Sequence, residues 1–417
     1  MKPRLLLLVP TSTYRAEAFI RAAQRLPVNL SVASEVPNSL AHIYPVDLPA
    51  FDFSRPSHAA ATVYALAQSH PIHAVVAVDD QATLCAAVIA EALGIPHNSP
   101  EAVRDALNKY RARERMREAG IPQPEYRLVA LDEYHTIADR IAYPSVVKPL
   151  AMSASRGVVR VDDAAQFARA VERLAALVRT NGSGNGGDIS HTHVLVESYV
   201  PGWEVAVEGM FIGGRPHVIA VFDKPDPLEG PYFPETMYIT PSRHSPAVVD
   251  RIEQLTLDAL SAVGLTRGPF HVEIRGNANH VLPIEVHARS IGGLCSRVVR
   301  FTGGRSLEDV ILADAIGLLR DVPAREPNAA GVWMMQSPSR GRFESMGGVP
   351  SACDVAGVEE VIVTARPGQT MEPLPEGFLY MGFIFARAST PEKVEGALRS
   401  AFAKLTPRIV DPAPALG

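Results

Sequence analysis

A chain of 417 residues with 47% hydrophobic side chains has apolar material for roughly two to four domains with substantial cores. Its formal charge of −5 and the absence of a polybasic run argue against a nucleic-acid or membrane surface, and no stretch approaches the ~20 apolar residues of a membrane-spanning helix. The 3 cysteines, Cys85, Cys295 and Cys353, are scattered without disulfide or metal-ligand spacing, which predicts small buried side chains in a reducing cytoplasm.

Residues 1–100 alternate strand and helix signals. Arg4–Val9 predicts a buried strand, an apolar run too short for a signal peptide that stops at Pro10-Thr11-Ser12. Helices are expected over Ala16–Arg25, His58–Ser69 and Ala82–Leu93, the last closed by Gly94, with strands at Asn29–Ser34 and His73–Val78 between them. This is a βαβ pattern, so a parallel sheet with helices on its faces follows. Its strand ends at Pro10-Thr11-Ser12 and Asp79-Asp80 are where such sheets bind ligands, although no GxGxxG fingerprint is present.

A charged helix is expected over Ser99–Ala119, stopped by Gly120 and Pro122. Tyr143–Lys148 then predicts a strand, residues 151–157 a small-residue loop, Val158–Val161 a strand and Ala164–Arg179 a helix. The run Asn181–Gly187 reads as a flexible surface loop without chemistry. Strands are expected at His193–Val200, Glu204–Phe211 and His217–Phe222, a proline-rich ordered loop over 224–247, and a helix over Ala247–Val263. A separate α/β segment from about Gly331 to Arg408 closes the chain.

Most of the chemistry is concentrated in FHVEIRGNANHVLPIEVHARSIGG, residues 270–293. Two alternating segments flank a Gly276-Asn277-Ala278-Asn279 turn. Phe270, Val272 and Ile274 should share one face, with His271, Glu273 and Arg275 on the other. On the second segment Leu282, Ile284 and Val286 should oppose Glu285, His287 and Arg289. Such a hairpin brings Glu273 and Glu285 side by side, where they repel unless they share a proton or a cation. Hard carboxylate oxygens without a cysteine cluster suit Mg²⁺ better than zinc. Upstream, Lys148 ends an apolar strand before a loop whose small residues let backbone N–H groups approach phosphate oxygens, and Lys109 lies on the preceding helix. In VLVESYVPGWEVAVEG, Glu197 and Glu204 flank Pro201-Gly202 and would place two acceptors along one cleft.

The order of these features resembles the ATP-grasp superfamily, and within it the carboxylate–amine ligases that include the L-amino acid (dipeptide) ligases. The resemblance covers nearly the whole chain, through NKYRARERMREAGIPQP (108–124), PSVVKPLAMSASRGVVRV (144–161), VLVESYVPGWEVAVEG (194–209) and HVEI…PIEVHAR. It implies an α/β protein in three parts. These are a parallel βαβ domain over 1–105, a two-part α+β ATP-grasp domain over 106–325 (106–196 and 197–325), and a small α+β lid over 326–417.

It further implies that Lys109 and Lys148 contact ATP phosphates beneath the loop of Ser153, Ser155, Arg156 and Gly157. Glu197 and the Val200 backbone would recognise adenine, and Glu204 the ribose. Glu273 and Glu285 would hold Mg²⁺, and Arg289, near Gly292-Gly293, would bind the substrate carboxylate and the developing acyl phosphate. Where the family usually has Asn, this chain has His287, a candidate metal ligand whose imidazole suits Mg²⁺ less well than an amide oxygen, so that the site holds one ion rather than two, prefers Mn²⁺, or uses His287 structurally. Lys224, Glu235 and Arg243, in a loop resembling the family's substrate-side segment, are candidates for gripping the substrates.

The activity so implied is ATP-dependent joining of a small carboxylic acid to an amine through an acyl phosphate. A thiol or carboxylase-like acceptor is the alternative enzyme, and a nucleotide-binding regulatory protein the alternative of another class. Related ligases are often homodimers, but no patch in the sequence identifies an interface.

Overall fold

Leu5, Leu6, Leu7 and Leu8 are all fully buried, as a strand enclosed on both faces requires. In the computed structural model, which describes residues 2–36, 50–181, 189–377 and 379–411, Arg4–Leu8 is the central strand of a parallel sheet between Asn29–Ala33 and Ala74–Ala77. Leu5 and Leu7 pack with Phe19 and Ala22 of helix Ala16–Arg25. Leu6 and Leu8, pointing the other way, pack with Val63 of helix Pro56–Ala67 and Ala86 of helix Asp80–Leu93. The expected glycine-rich loop at 181–187 lies outside the described residues, except for Asn181, which ends helix Ala164–Asn181.

One predicted helix is two. The segment expected to run continuously over 99–119 divides into Pro100–Leu107 and Lys109–Glu118. Asn108 takes an extended backbone, and its side chain accepts from the Tyr110 and Arg111 N–H groups, capping the second helix. Lys109 therefore sits at the first position of a helix rather than in the middle of one.

Two antiparallel sheets follow. The smaller runs in the order Tyr126–Ala130, His193–Ser198, Ser145–Pro149, Val159–Val161, and is backed by Phe167, Val171 and Leu174. The larger has eight strands, ordered Val281–His287, Gly268–Gly276, Trp203–Ile212, Arg215–Lys224, Met237–Thr240, Ala329–Gln336, Tyr380–Ala388, Val358–Val363. Met237–Thr240 lies inside the stretch expected to be all loop. Its aromatic and β-branched residues pair between flanking prolines that leave the ladder intact. The C-terminal strands Ala329–Gln336, Tyr380–Ala388 and Val358–Val363 extend the hairpin's sheet, and a further three-stranded sheet sits beside them.

Alternation along Trp203–Ile212 sends Val205 and Val207 toward helix Pro246–Val263, and Ala206 and Met210 toward the other face. That second face shares one apolar cluster with Leu5, Leu7 and Phe19. The N-terminal sheet is thereby packed against the large sheet, bringing Asp79-Asp80 to the hairpin.

Candidate active site

The hairpin register sets Glu273 directly opposite Glu285. Beyond that pair it shifts: Ile274 faces Pro283, leaving Ile284 as the extra residue of a bulge. The expected common face of Leu282, Ile284 and Val286 therefore does not form. Val281 and Val286 join the core with Phe270, Val272 and Ile274, while Ile284 turns into a cavity. The slip has a use, since it bends the strand just before the carboxylate that it presents.

Each carboxylate of the pair meets an ammonium. Glu273 Oε1 lies 3.3 Å from Lys224 Nζ, and Glu285 Oε2 lies 3.4 Å from Lys109 Nζ. Lys224 also pairs with Glu204 at 2.6 Å and Glu235 at 3.6 Å, so one cation serves three carboxylates. Burial pushes the Glu285 carboxyl up, but Lys109 and the His287 hydrogen bond outweigh it and hold it down at about 2. Burial likewise opposes the charge on Glu273, yet Lys224 and His271 hold its carboxyl well below the usual range. At Glu235 burial wins and the carboxyl is raised.

His287 stands between carboxylates, with Nε2 3.3 Å from Glu285 and Nδ1 3.6 Å from Asp80. Arg289 is held by Asp80, which accepts from Nε at 2.9 Å and lies 2.8 Å from Nη2. A second imidazole, His271, has Nδ1 3.3 Å from the fully buried Glu208 and Nε2 3.6 Å from Glu273. Sequence reasoning did not single out His271 or Glu208 for a role. His271 on the charged face of the hairpin was the available signal.

Two cavities meet at this hairpin. The larger, about 510 Å³, is lined by Lys109, Met116, Met152, Ser153, Arg156 and Ile284 among others. The smaller, about 140 Å³, takes in Glu235, Glu273, Arg289, Gly292-Gly293, Ser155 and Tyr380. Asp80, Gln81, Ser153, Glu285 and His287 line both. Lys148, Glu197, Val200, Glu204, Gly157 and Lys224 line neither. Nor is Arg243 brought to the site: it pairs with Asp223 at 3.1 Å and Glu395 at 2.7 Å.

Glu197, expected as an open acceptor, has both oxygens engaged. Arg113 Nε donates to Oε1 and Lys148 Nζ lies against Oε2, each at 2.6 Å. A desolvated glutamate between two cations is a strong anchor, and it leaves Lys148 poised beside its strand end rather than free. Arg113 was passed over in the sequence because one arginine in a charged helix carries no mark of burial.

The loop after Lys148 bends through left-handed backbone at Ala154 (φ 57°) and Ser155 (φ 55°), strained for side chains with a Cβ. At Gly157, φ is 73° and a Cβ would lie 2.6 Å from Leu174, so only glycine fits without displacement. The loop is fastened to the C-terminal segment: Gly157 N donates to Pro375 O at 2.8 Å and Arg156 Nε to Glu376 O at 2.9 Å. Arg173 forks onto the Glu376 carboxylate from below.

Among the described residues, no group of three or more His, Cys, Asp or Glu side chains is arranged to hold a metal ion alone. Glu285 lines both cavities and Glu273, opposite it, the smaller one; two such hard carboxylates fit a divalent ion completed by phosphate oxygens and water. No helix among the described residues is long and apolar enough to cross a membrane.

Residues 20–97 match the ATP-grasp N-terminal domain, 141–298 the ATP-grasp domain, and 333–410 the L-amino acid ligase C-terminal domain 2. The structure of an L-amino acid ligase from Bacillus licheniformis superposes with a TM-score of 0.82 at 25% identity, over 99% of this chain and 100% of that one. An uncharacterised protein of Sinorhizobium fredii, y4rH, is 25% identical over 74% of this chain and 62% of its own length. A D-alanine–D-alanine ligase of Methylobacterium radiotolerans is 32% identical over 44% of this chain and 58% of its own. The chain thus spans less than two thirds of these curated relatives. With the N-terminal, ATP-grasp and C-terminal matches falling in this order along one continuous fold, the chain has the ATP-grasp architecture, and its C-terminal part is similar to that of L-amino acid ligases.

Proposed function

We propose that this protein activates a carboxylic acid with ATP and joins it to an amine, releasing ADP and phosphate. The observation that carries the proposal is the pair of cavities converging on Glu285 and His287, one roomy and flanked by Lys109, the other small and lined by Arg289. A nucleotide in the first would direct its phosphates at an acid held in the second.

A carboxylate resists attack because its charge repels nucleophiles and oxide cannot leave. Attack of its oxygen on the γ-phosphorus breaks the bond to ADP and gives an acyl phosphate. An amine then attacks the acyl carbon, a proton departs from nitrogen, and phosphate leaves. Catalysis of phosphoryl transfer is mostly positioning and charge neutralisation. Lys109, on the wall of the larger cavity, supplies a cationic end to the phosphates in exchange for Glu285, whereas Lys148, which lines neither cavity, would reach them only by leaving Glu197. Glu273 and Glu285 would hold a divalent ion, Mg²⁺ or Mn²⁺, which when bound neutralises phosphate charge. Arg289 grips the acid, and the loop at 153–157 with the segment at 375–376 keeps water from the acyl phosphate.

The C-terminal match and the Bacillus ligase support amino acids as the first substrates to test. A homodimer, as in some relatives, is tested by light scattering. The deciding experiment is ADP release with Mg²⁺-ATP over paired amino acids and small carboxylates, with mass spectrometry of the products. A condensed mass that requires both partners establishes the ligase. ATP binding with no pair-dependent ADP release would instead favour the regulatory reading.

A further inference from the structure

Arg289 lies just beyond the hairpin, but the side chain that orients it comes from the helix that follows the N-terminal sheet's strand Ala74–Ala77, 209 residues away. Asp80 opens helix Asp80–Leu93, where free N–H groups favour a carboxylate. Its Oδ2 takes both Nε and Nη2 of Arg289, while Oδ1 faces His287 at 3.6 Å and makes no hydrogen bond among the described residues. Arg289 Nη1 donates to Ser290 O at 3.1 Å. Ser290 is itself gripped by a second N-terminal side chain: Arg15 donates Nη2 to its Oγ at 2.5 Å and Nη1 to its carbonyl at 3.3 Å. Arg15 is 1% exposed and also donates to Val78 O, two residues before Asp80.

A guanidinium has five N–H donors in a plane. Asp80 takes those along the Nε–Nη2 edge, and Ser290 O takes one on Nη1. Among the described residues one N–H on each terminal nitrogen has no further partner, and two such groups can grip a two-oxygen anion. We propose that Asp80 is a positioning residue that turns Arg289 so that this remaining edge meets the carboxylate being activated. The N-terminal sheet is then a part of the catalytic machinery rather than a neighbour of it. What Arg289 binds rests on the ligase reading, whereas where Asp80 holds it does not.

The test uses Asp80→Asn, which keeps the shape, and Asp80→Ala, each first checked for a native melting transition. The ¹⁵N Nε–H resonance of Arg289, assigned by its loss in Arg289→Lys, should exchange slowly with solvent in the wild type and at least about tenfold faster in Asp80→Ala. An unchanged exchange rate in both variants overturns the proposal. In the second arm, ADP release is followed with Mg²⁺-ATP and an equimolar mixture of the twenty L-amino acids. Asp80→Ala should lower kcat about 100-fold while the KM for ATP moves less than about threefold, as a misaligned group predicts. In the Arg289→Lys background the same change should cost less than about threefold, because the two residues act as one unit. The full loss persisting in that background would show that Asp80 acts by another route and overturn the proposal. A wild type without amino-acid-dependent ADP release would sink the ligase reading, and the Nε–H measurement would still decide the role of Asp80.

Discussion

Arg113 donates through Nε to Glu197 and through its two terminal nitrogens to the carbonyls of Pro283 and Ile284. One side chain thereby joins the small sheet to the bulge of the carboxylate hairpin. Both partners are almost wholly buried, Arg113 at 1% exposed and Glu197 at 3%. Removing one member of such a pair leaves the other charged and desolvated, at a cost of about 3–5 kcal/mol. Lys148 remains beside Glu197 to soften that cost, so Arg113→Met should lose about 3 kcal/mol in urea denaturation. Arg113→Lys should recover little, since an ammonium cannot span three acceptors in two sheets. A loss below about 1 kcal/mol for the methionine variant would show that the pair is not a structural anchor.

The same glutamate sets a pH dependence. Burial opposes the charge on Glu197, but Arg113 and Lys148 prevail and lower its pKa from the ordinary value of 4.5. A carboxyl held lower in the folded chain than in the unfolded one adds stability that is complete above about pH 4.5. That stability is lost as pH falls below this value toward the folded pKa, because the unfolded chain takes up the proton first. Glu197→Gln should therefore unfold with a shallower pH dependence below about pH 4.5, with the difference absent at neutral pH apart from a constant offset. Parallel curves for the two proteins from neutral pH into acid would contradict the assignment.

Much of this site was legible in the sequence where chemistry lay within one element. Period-two alternation puts Glu273 and Glu285 on the charged side of the hairpin, but their direct opposition comes from the bulge, since the turn-side register of Ile274 with Pro283 would otherwise set Glu273 against Ile284. The bulge at Ile284 was not legible, since an extra residue in a strand leaves no compositional mark. Nor was the helix break at Asn108, because asparagine is tolerated inside a helix and becomes a cap only when its side chain turns back. The strand Met237–Thr240 was masked by prolines on both sides. Pairings of long separation were the least accessible: Arg113 with Glu197 is 84 residues apart and Asp80 with Arg289 is 209. Such pairs depend on how whole sheets pack, which local pattern does not encode.

The clasp between the 153–157 loop and the C-terminal segment separates stability from coupling. Arg173 and Glu376 are partly exposed, at 47% and 34%, so Arg173→Ala should cost less than about 1 kcal/mol of global stability. Its consequence should fall on the loop, whose anchor at Glu376 loosens and, on the ligase reading, admits water to the acyl phosphate. The expected outcome is more ADP released per molecule of condensed product than in the wild type, read by pairing a coupled ADP assay with mass spectrometry. An unchanged ratio would mean that the Gly157 and Arg156 contacts suffice to hold the loop.

Gly157 probes the same loop from the backbone. A β-carbon there meets Leu174 at 2.6 Å, Leu177 at 3.2 Å and Pro149 at 3.3 Å, on a backbone with φ of 73°. Gly157→Ala adds left-handed strain of about 1–2 kcal/mol to whatever displacement those neighbours require. Urea denaturation should register a loss of at least about 1 kcal/mol, with the KM for ATP raised. A variant as stable as the wild type would mean that the loop relaxes into another path.

Glu285 is the sharpest test of the site because it lines both cavities. Glu285→Gln keeps the shape and removes the charge that Lys109 balances. It also relieves a desolvated carboxylate, so the two effects on stability oppose and the melting temperature should shift by only a few degrees. Turnover should fall about 1,000-fold or more, since one of the two carboxylates that would hold the divalent ion is lost, and with it the ion's neutralisation of the transferring phosphoryl group. Mn²⁺ affinity in the presence of ADP, measured by water-proton relaxation, should fall at least about tenfold. Chelation should silence the wild type, and added Mg²⁺ should restore it. If Glu285→Gln lost turnover yet kept Mn²⁺ affinity, the carboxylate would be acting on Lys109 rather than on a metal. The opposed lysine at 3.4 Å would then be the reason the residue matters.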